Sequence, residues 1–249
     1  WYIAPQLWAW GEDRAEKLAG AVDTLLVVFP FEVEFFRKHG INAVHVGHPL
    51  LDQIADLPDV PQRSGILLMP GSRKHELHHH VPLLARTVEL LHERGHQHIS
   101  VAKARSIDDE ALRPLTDLGV KVEHQSRDAM RTHAAGLIKA GTSTLEAAVM
   151  GLPFTTFYKT SAISYYMAKR VVKIDSVTMM NLLLKRNVVH ELLQHDATPE
   201  ALAKDVDEML TNSARRHELE QASIDVRNVL GGPGASERAA DVIAEMISR

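Results

Sequence analysis

The chain carries 45% hydrophobic and 24% charged residues over 249 positions, an ordinary globular composition long enough for one large domain or two modest ones. A formal net charge of -4 argues against a general nucleic-acid binder, and no apolar run reaches the roughly 20 residues of a membrane span. The absence of cysteine excludes disulfides, thiolate metal sites and a cysteine nucleophile, and fits a reducing compartment.

From the N-terminus, short apolar runs alternate with amphipathic stretches. Strands are predicted at 24–29, 43–46, 65–69, 98–102, 120–123, 136–138 and 153–158, with helices between them at 13–21, 32–39, 83–94, 108–118, 128–133 and 144–150. This rhythm predicts an α/β fold: a parallel sheet with helices on its faces and the strand C-termini along one edge. Segment 52–63, with Pro58, Pro61 and several acidic residues, reads as a linker. After Tyr158 the pattern is helical: 162–173, 188–194, 199–210, 213–229, and 236–248 after the Gly231-Gly232-Pro233-Gly234 breaker. The first residue is Trp1 and no signal-like segment follows, so the chain is expected to be part of a longer protein.

Two phrases about seventy residues apart stand out: Met69-Pro70-Gly71-Ser72-Arg73 and Lys139-Ala140-Gly141-Thr142-Ser143-Thr144-Leu145-Glu146. Each follows a strand-like run and opens a helix. Such a turn leaves backbone N–H groups unpaired at the positive end of the helix, a ready site for phosphate. Two in one domain point to a nucleotide or nucleotide-sugar between them.

Arg73 can fork onto phosphate oxygens over the first turn. Glu76 either caps the helix or holds Arg73 in place. In the second phrase Thr142, Ser143 and Thr144 supply hydroxyls and amides. Glu146, placed in the first turn, either forms a capping box with Ser143 or, the favoured reading, accepts from ribose hydroxyls.

His75-Glu76-Leu77-His78-His79 matches H-E-x-x-H formally, but it sits at a helix start and Pro82 is expected to interrupt any continuation, so no metal catalysis is expected there. Tyr165, Tyr166, Lys169, Arg170 and Lys173 share one predicted helix. They read as a core face plus a solvated face, with an anionic membrane surface as the alternative. Trp8 and Trp10, spaced as in a strand or tight turn, signal packing. His48 reads as structural.

Beyond these readings, Trp1-Tyr2-Ile3-Ala4-Pro5-Gln6-Leu7-Trp8-Ala9-Trp10 resembles the "YxSPQxWAW" segment of lipid-A-disaccharide synthases. Phe29-Pro30-Phe31-Glu32, Gly47-His48-Pro49-Leu50, Pro70-Gly71-Ser72-Arg73, Gly141 to Glu146, Asn181-Leu182-Leu183 and Gly234-Ala235-Ser236-Glu237-Arg238-Ala239-Ala240 resemble that family in order along the whole chain.

The resemblance implies a GT-B glycosyltransferase fold. Residues 1–52 would be the remnant of an N-terminal acceptor-side Rossmann-like domain, 53–225 a C-terminal UDP-sugar-binding domain, and 226–249 a helix packing back on the N-terminal domain. It implies transfer of 2,3-diacylglucosamine from its UDP derivative to 2,3-diacylglucosamine 1-phosphate, with inversion and release of UDP. The place of work would be the inner face of the cytoplasmic membrane, with no metal or cofactor and with a homodimer as a candidate assembly. Substrate binding would fall to Gly71, Ser72, Arg73, Glu76, Gly141, Thr142, Ser143, Thr144, Glu146 and Asn181, with Arg73 on the diphosphate and Glu146 and Asn181 at the nucleoside end.

Departures from the pattern matter. The family's N-terminal third, with the aspartate regarded as catalytic base, has no counterpart here, so the chain is expected to bind donor without turnover. Lys139-Ala140 stand where many members have Ala-Ser, and Gly11 stands where an arginine often follows the second tryptophan. Competing readings are another GT-B enzyme, such as a nucleotide-sugar epimerase, a non-catalytic nucleotide-binding module and, most weakly, a zinc hydrolase.

Overall fold

The computed structural model describes residues 1–55, 57, 62–161, 165–166, 170 and 176–248. The chain divides into two compact units. One comprises Trp1–Pro58, Tyr166–Asp175 and Val226–Arg249, the other Asp59–Tyr165 and Ser176–Asp225.

In the first unit, β1 (Leu25–Val27) pairs in parallel with β2 (Ala43–His45), joined by α3 (Pro30–Lys38). Leu7, Leu25, Val27, Phe36 and Ile41 form its core, with α2 (Ala15–Ala19) contributing Ala15. Pro30 starts α3 where a missing N–H costs nothing. Glu32 reaches back to accept from the N–H groups of Phe29 at 3.0 Å and Val28 at 3.2 Å. Burial pushes the Glu32 carboxyl up, against the pull of those bonds and of the Trp8 indole, which donates to it at 3.0 Å. Trp8 and Trp10 lie on a single helical turn, α1 (Leu7–Trp10), rather than a strand, and Leu7 and Ala9 of that turn are buried. His48 accepts from Leu50 N–H through Nδ1, a structural role.

Asp52, read as the start of a linker, is instead anchored. Its carboxylate accepts from the N–H groups of Gly234, Ala235 and Ser236 at the N-terminus of α11 (Ala235–Ile247). Burial opposes ionisation there, yet the bonds from Ser236, Ala235 and Gly234 together hold the pKa down at about 2. Asp52 is half-buried and its bonds are those of a helix cap, so capping sets the scale: Asp52→Ala is expected to destabilise this unit by about 1 kcal/mol. A folded pKa below the unfolded value means the contribution is present above the unfolded pKa and fades as pH falls towards about 2. Melting curves of both proteins at neutral and acidic pH should therefore converge at low pH.

The second unit is built on a six-stranded parallel sheet in the order β5-β4-β3-β6-β7-β8. Its strands are β3 (Ile66–Met69), β4 (Ile99–Ala102), β5 (Lys121–Glu123), β6 (Ala135–Lys139), β7 (Phe154–Tyr158) and β8 (Glu191–Leu193). The first three strands run outward in one direction and the next three in the other. The order reverses between β3 and β6, and crevices open at such a point beyond the strand C-termini. The connecting helices are α4 (Lys74–Glu93), the short α5 (Arg113–Thr116), α6 (Ser126–Thr132) and α7 (Thr142–Met150). Then come α8 (Met179–Leu184), α9 (Pro199–Thr211), which packs on α4, and α10 (Ser213–Val229), whose last residues enter the first unit. Arg63, at the other end of the expected linker, donates to Met130 O at 3.1 Å and Met150 O at 2.7 Å.

Two expectations in and around this sheet need correcting. Pro82 does not interrupt the helix: α4 runs through it. Proline costs a helix interior about 3 kcal/mol. Leu77, Val81, Leu84, Val88 and Leu91, spaced three and four apart and buried, return roughly 1.5–3 kcal/mol each. The segment 188–194 is not a helix but contains β8, because the open edge of β7 captures it: Thr156 N–H donates to His190 O at 2.9 Å. An apolar run this short fits either period, and the available edge decides. The helix expected at 162–173 lies outside the described residues except for Tyr165, Tyr166 and Arg170. Among the described residues no helix is long and apolar enough to cross a membrane.

Candidate anion-binding site at the sheet's switch point

Both glycine turns leave strands that flank the reversal of strand order: Gly71 follows β3 and Gly141 follows β6. They open onto one cleft of about 160 Å³ in the second unit, to which Gly71, Ser72, Lys139, Ser143 and Glu146 contribute. Gly71 (φ +113°) and Gly141 (φ +145°) both occupy backbone space that side chains rarely enter. Each turn delivers the N-terminus of a helix, α4 or α7, to the cleft edge.

Between the two readings of Glu76, the geometry selects the second. Its side chain, 2% exposed, makes no capping bond, and Oε1 is shared by Arg73 Nη1 at 3.1 Å and Lys139 Nζ at 3.0 Å. Burial alone would raise the Glu76 pKa, but Lys139 and then Arg73 outweigh it and hold the carboxylate ionised. Arg73 keeps 67% of its side chain exposed and so remains available to an anion over the turn. Glu76 is also the carboxylate of the H-E-x-x-H match, and its pairing removes the general base such a motif requires.

Beneath the first turn sits His80, fully buried. Nδ1 lies 2.7 Å from Pro70 O, while Nε2 accepts from Lys159 N–H at 3.1 Å. That pattern fixes the tautomer with the proton on Nδ1, and burial lowers the pKa to keep the ring neutral. His80 thereby fastens the residue before Gly71 to the end of β7. Ser106 Oγ holds Ser72 O from the other side at 3.2 Å.

The second turn differs from expectation in detail. Gly141 is the N-cap, so Ser143 forms no capping box, and Glu146 begins the second turn of α7 rather than lying in the first. Glu146 accepts from Arg127 at 3.2 Å with 25% of its side chain exposed. Gly141 and Thr142 are exposed and Ser143 half-buried, whereas Thr144 is buried with its hydroxyl donating to Gly141 O at 2.7 Å.

Asn181 is not brought to this group. It is 3% exposed, its Oδ1 accepts from Val188 and Val189 N–H at 2.9 Å each, and its Nδ2 donates to Val189 O and Glu191 Oε1. Glu191, unnoticed in the sequence, also accepts from Val177 and Thr178 N–H and from the hydroxyls of Ser176 and Thr178 at the start of α8. His80 was given no role there, and Lys139 stood only as a departure from the family pattern.

The fold and this site can be set beside known proteins. In solved structures, the S. aureus MnaA–UDP complex superposes with a TM-score of 0.61 at 11% identity, covering 93% of this chain and 62% of that one. The calicheamicin glycosyltransferase CalG4 gives 0.55 at 18% identity over 91% and 54%. At these identities the likeness is one of fold, the GT-B arrangement. Sequence relatives are nearer. A lipid-A-disaccharide synthase of Geobacter metallireducens is 34% identical over 100% of this chain and 69% of its own length. That of Anaeromyxobacter sp. strain K is 36% identical over 98% and 67%. The chain thus spans about two thirds of the length of those relatives. The family model for lipid-A-disaccharide synthetase matches residues 1–246. Ordered motifs, fold and whole-chain relatives agree, and this chain belongs to the lipid-A-disaccharide synthetase family.

Proposed function

We propose that this chain forms the donor-binding side of an inverting glycosyltransferase. The enzyme moves 2,3-diacylglucosamine from its UDP derivative to 2,3-diacylglucosamine 1-phosphate, giving the disaccharide 1-phosphate and UDP. The observation that carries the reading is the convergence of two glycine turns and two helix N-termini on one cleft where the strand order reverses. Arg73, with the amides of Gly71, Ser72, Gly141 and Thr142, cradles the diphosphate. Ser143 and Glu146 meet the sugar hydroxyls of the nucleoside. Asn181 contributes by shaping the α8–β8 segment rather than by direct contact.

An inverting attack needs a base for the acceptor hydroxyl. Glu76 is held by two cations and Glu146 by Arg127, so we assign neither to that role and expect this chain to bind donor without turning it over. Acceptor binding, action at the inner face of the cytoplasmic membrane and a homodimeric state accompany this reading through the family resemblance. Tyr166 and Arg170, both exposed and in contact at 2.7 Å, offer an aromatic-basic pair to a headgroup layer. Lys169 and Lys173 lie outside the described residues.

Calorimetric titration of UDP into the chain tests the site. Arg73→Ala and Glu146→Ala should each weaken binding by roughly 1–3 kcal/mol, the scale of a lost charged hydrogen bond. A folded chain that takes up no UDP would overturn the assignment.

A further inference from the structure

Lys139 ends β6, and its ammonium lies between the two glycine turns. Nζ is 3.0 Å from Glu76 Oε1 and 3.1 Å from the point that a Cβ on Gly141 would occupy. The side chain is only 14% exposed, yet it helps line the cleft. An ammonium carries three donors, and Glu76 is its single hydrogen-bonding partner among the described residues. A buried cation needs a counter-charge. Glu76 supplies it while sharing the same oxygen with Arg73, so this cluster of two cations and one carboxylate carries a net positive charge. Glu76 Oε2 has no hydrogen-bond partner among the described residues and is turned towards Gly71. The carboxylate is therefore committed to the cations through one oxygen only.

We propose that Lys139 is a direct ligand of the diphosphate, poised by Glu76 at the midpoint of the two turns. Binding is an exchange in which the incoming anion takes the donors that Glu76 leaves unused. This rests on the nucleotide reading above and gives a ligand role to the residue that opens the second phrase. Its consequence is selectivity: a ligand with two linked phosphates spans both turns and meets the ammonium between them, whereas a nucleoside without phosphate gains nothing from it. Tyr158, whose ring centroid is 5.8 Å from Nζ, confines the ammonium on the remaining side.

The test is titration of UDP, inorganic pyrophosphate and uridine into the 249-residue chain and into Lys139→Met. The substitution should weaken UDP and pyrophosphate by about tenfold or more, leave uridine within about twofold, and reduce the salt dependence of UDP binding. Equal losses for UDP and uridine would mean Lys139 acts through the fold. Unchanged UDP and pyrophosphate would mean it only neutralises Glu76. Because Lys139→Met strands a buried carboxylate, the double variant Lys139→Met/Glu76→Gln removes both charges. It should melt near the wild type and still show the tenfold loss for pyrophosphate, and wild-type affinity there would overturn the assignment. A wild-type chain that binds pyrophosphate but not UDP would refute the nucleotide reading and leave Lys139 standing; one that binds neither refutes both.

Discussion

Gly71→Ala is expected to destabilise the sheet-bearing unit by about 3 kcal/mol, summing positive-φ strain and overpacking, and to weaken UDP binding more than tenfold. The φ of +113° already disfavours any side chain. A Cβ would also stand 2.5 Å from Glu76 Oε2 and 3.5 Å from Glu76 Cβ. The carboxylate has no easy retreat, since its other oxygen holds Arg73 and Lys139. Any relief must swing the turn outward, which moves the Gly71 and Ser72 amides off the anion position. Gly141→Ala is the informative comparison: φ is +145°, but the nearest atom to its Cβ is Lys139 Nζ at 3.1 Å, the tip of a flexible chain. It should cost less stability while still weakening UDP binding. Thermal unfolding followed by circular dichroism, with calorimetry on each variant, checks both. A Gly71→Ala protein that melts and binds like the wild type would refute the seating of Glu76 beneath the turn.

The alternation of apolar strands with amphipathic helices, and both glycine turns, were legible because each is a local pattern. Every strand core of the sheet except β8 carries its signal in three to six consecutive residues. Other features depend on elements distant in sequence. Lys139 was legible only as a departure from the family pattern, and the fold alone brings it against Glu76, sixty-three positions earlier, beneath Gly71. The choice between two roles for Glu76 needed the same contact. Asp52 looked like linker because its partners lie at Gly234 to Ser236, across most of the chain. Pro82 misled through a sound local rule, overridden by an apolar stripe whose value appears only when the sheet and α9 are in place to bury it. Family resemblance supplied Asn181 as a contact, but a motif reports that an amide matters and not what it touches.

Asn181→Ala is therefore expected to act on stability rather than directly on ligand. The substitution would leave the Val188 and Val189 N–H groups, now bonded to Oδ1 at 2.9 Å each, without acceptors in a buried setting. At about 1–3 kcal/mol for each orphaned group, the loss should be about 4 kcal/mol. It would fall on β8 and α8 first, because the same amide ties Val189 O and Glu191 together. Hydrogen exchange should report faster opening there than in β3 or β6, while UDP affinity per folded molecule stays close to wild type. Asn181→Asp sharpens the argument. It keeps an acceptor for both N–H groups but sets a second carboxylate against Glu191 and Val189 O. Repulsion would raise its folded pKa above the unfolded value, so the variant should regain stability as pH falls through the carboxylate range, when an O–H donor replaces the missing amide. A direct ligand contact would give the opposite pair of results: wild-type melting for Asn181→Ala, and lost UDP affinity in a fully folded protein.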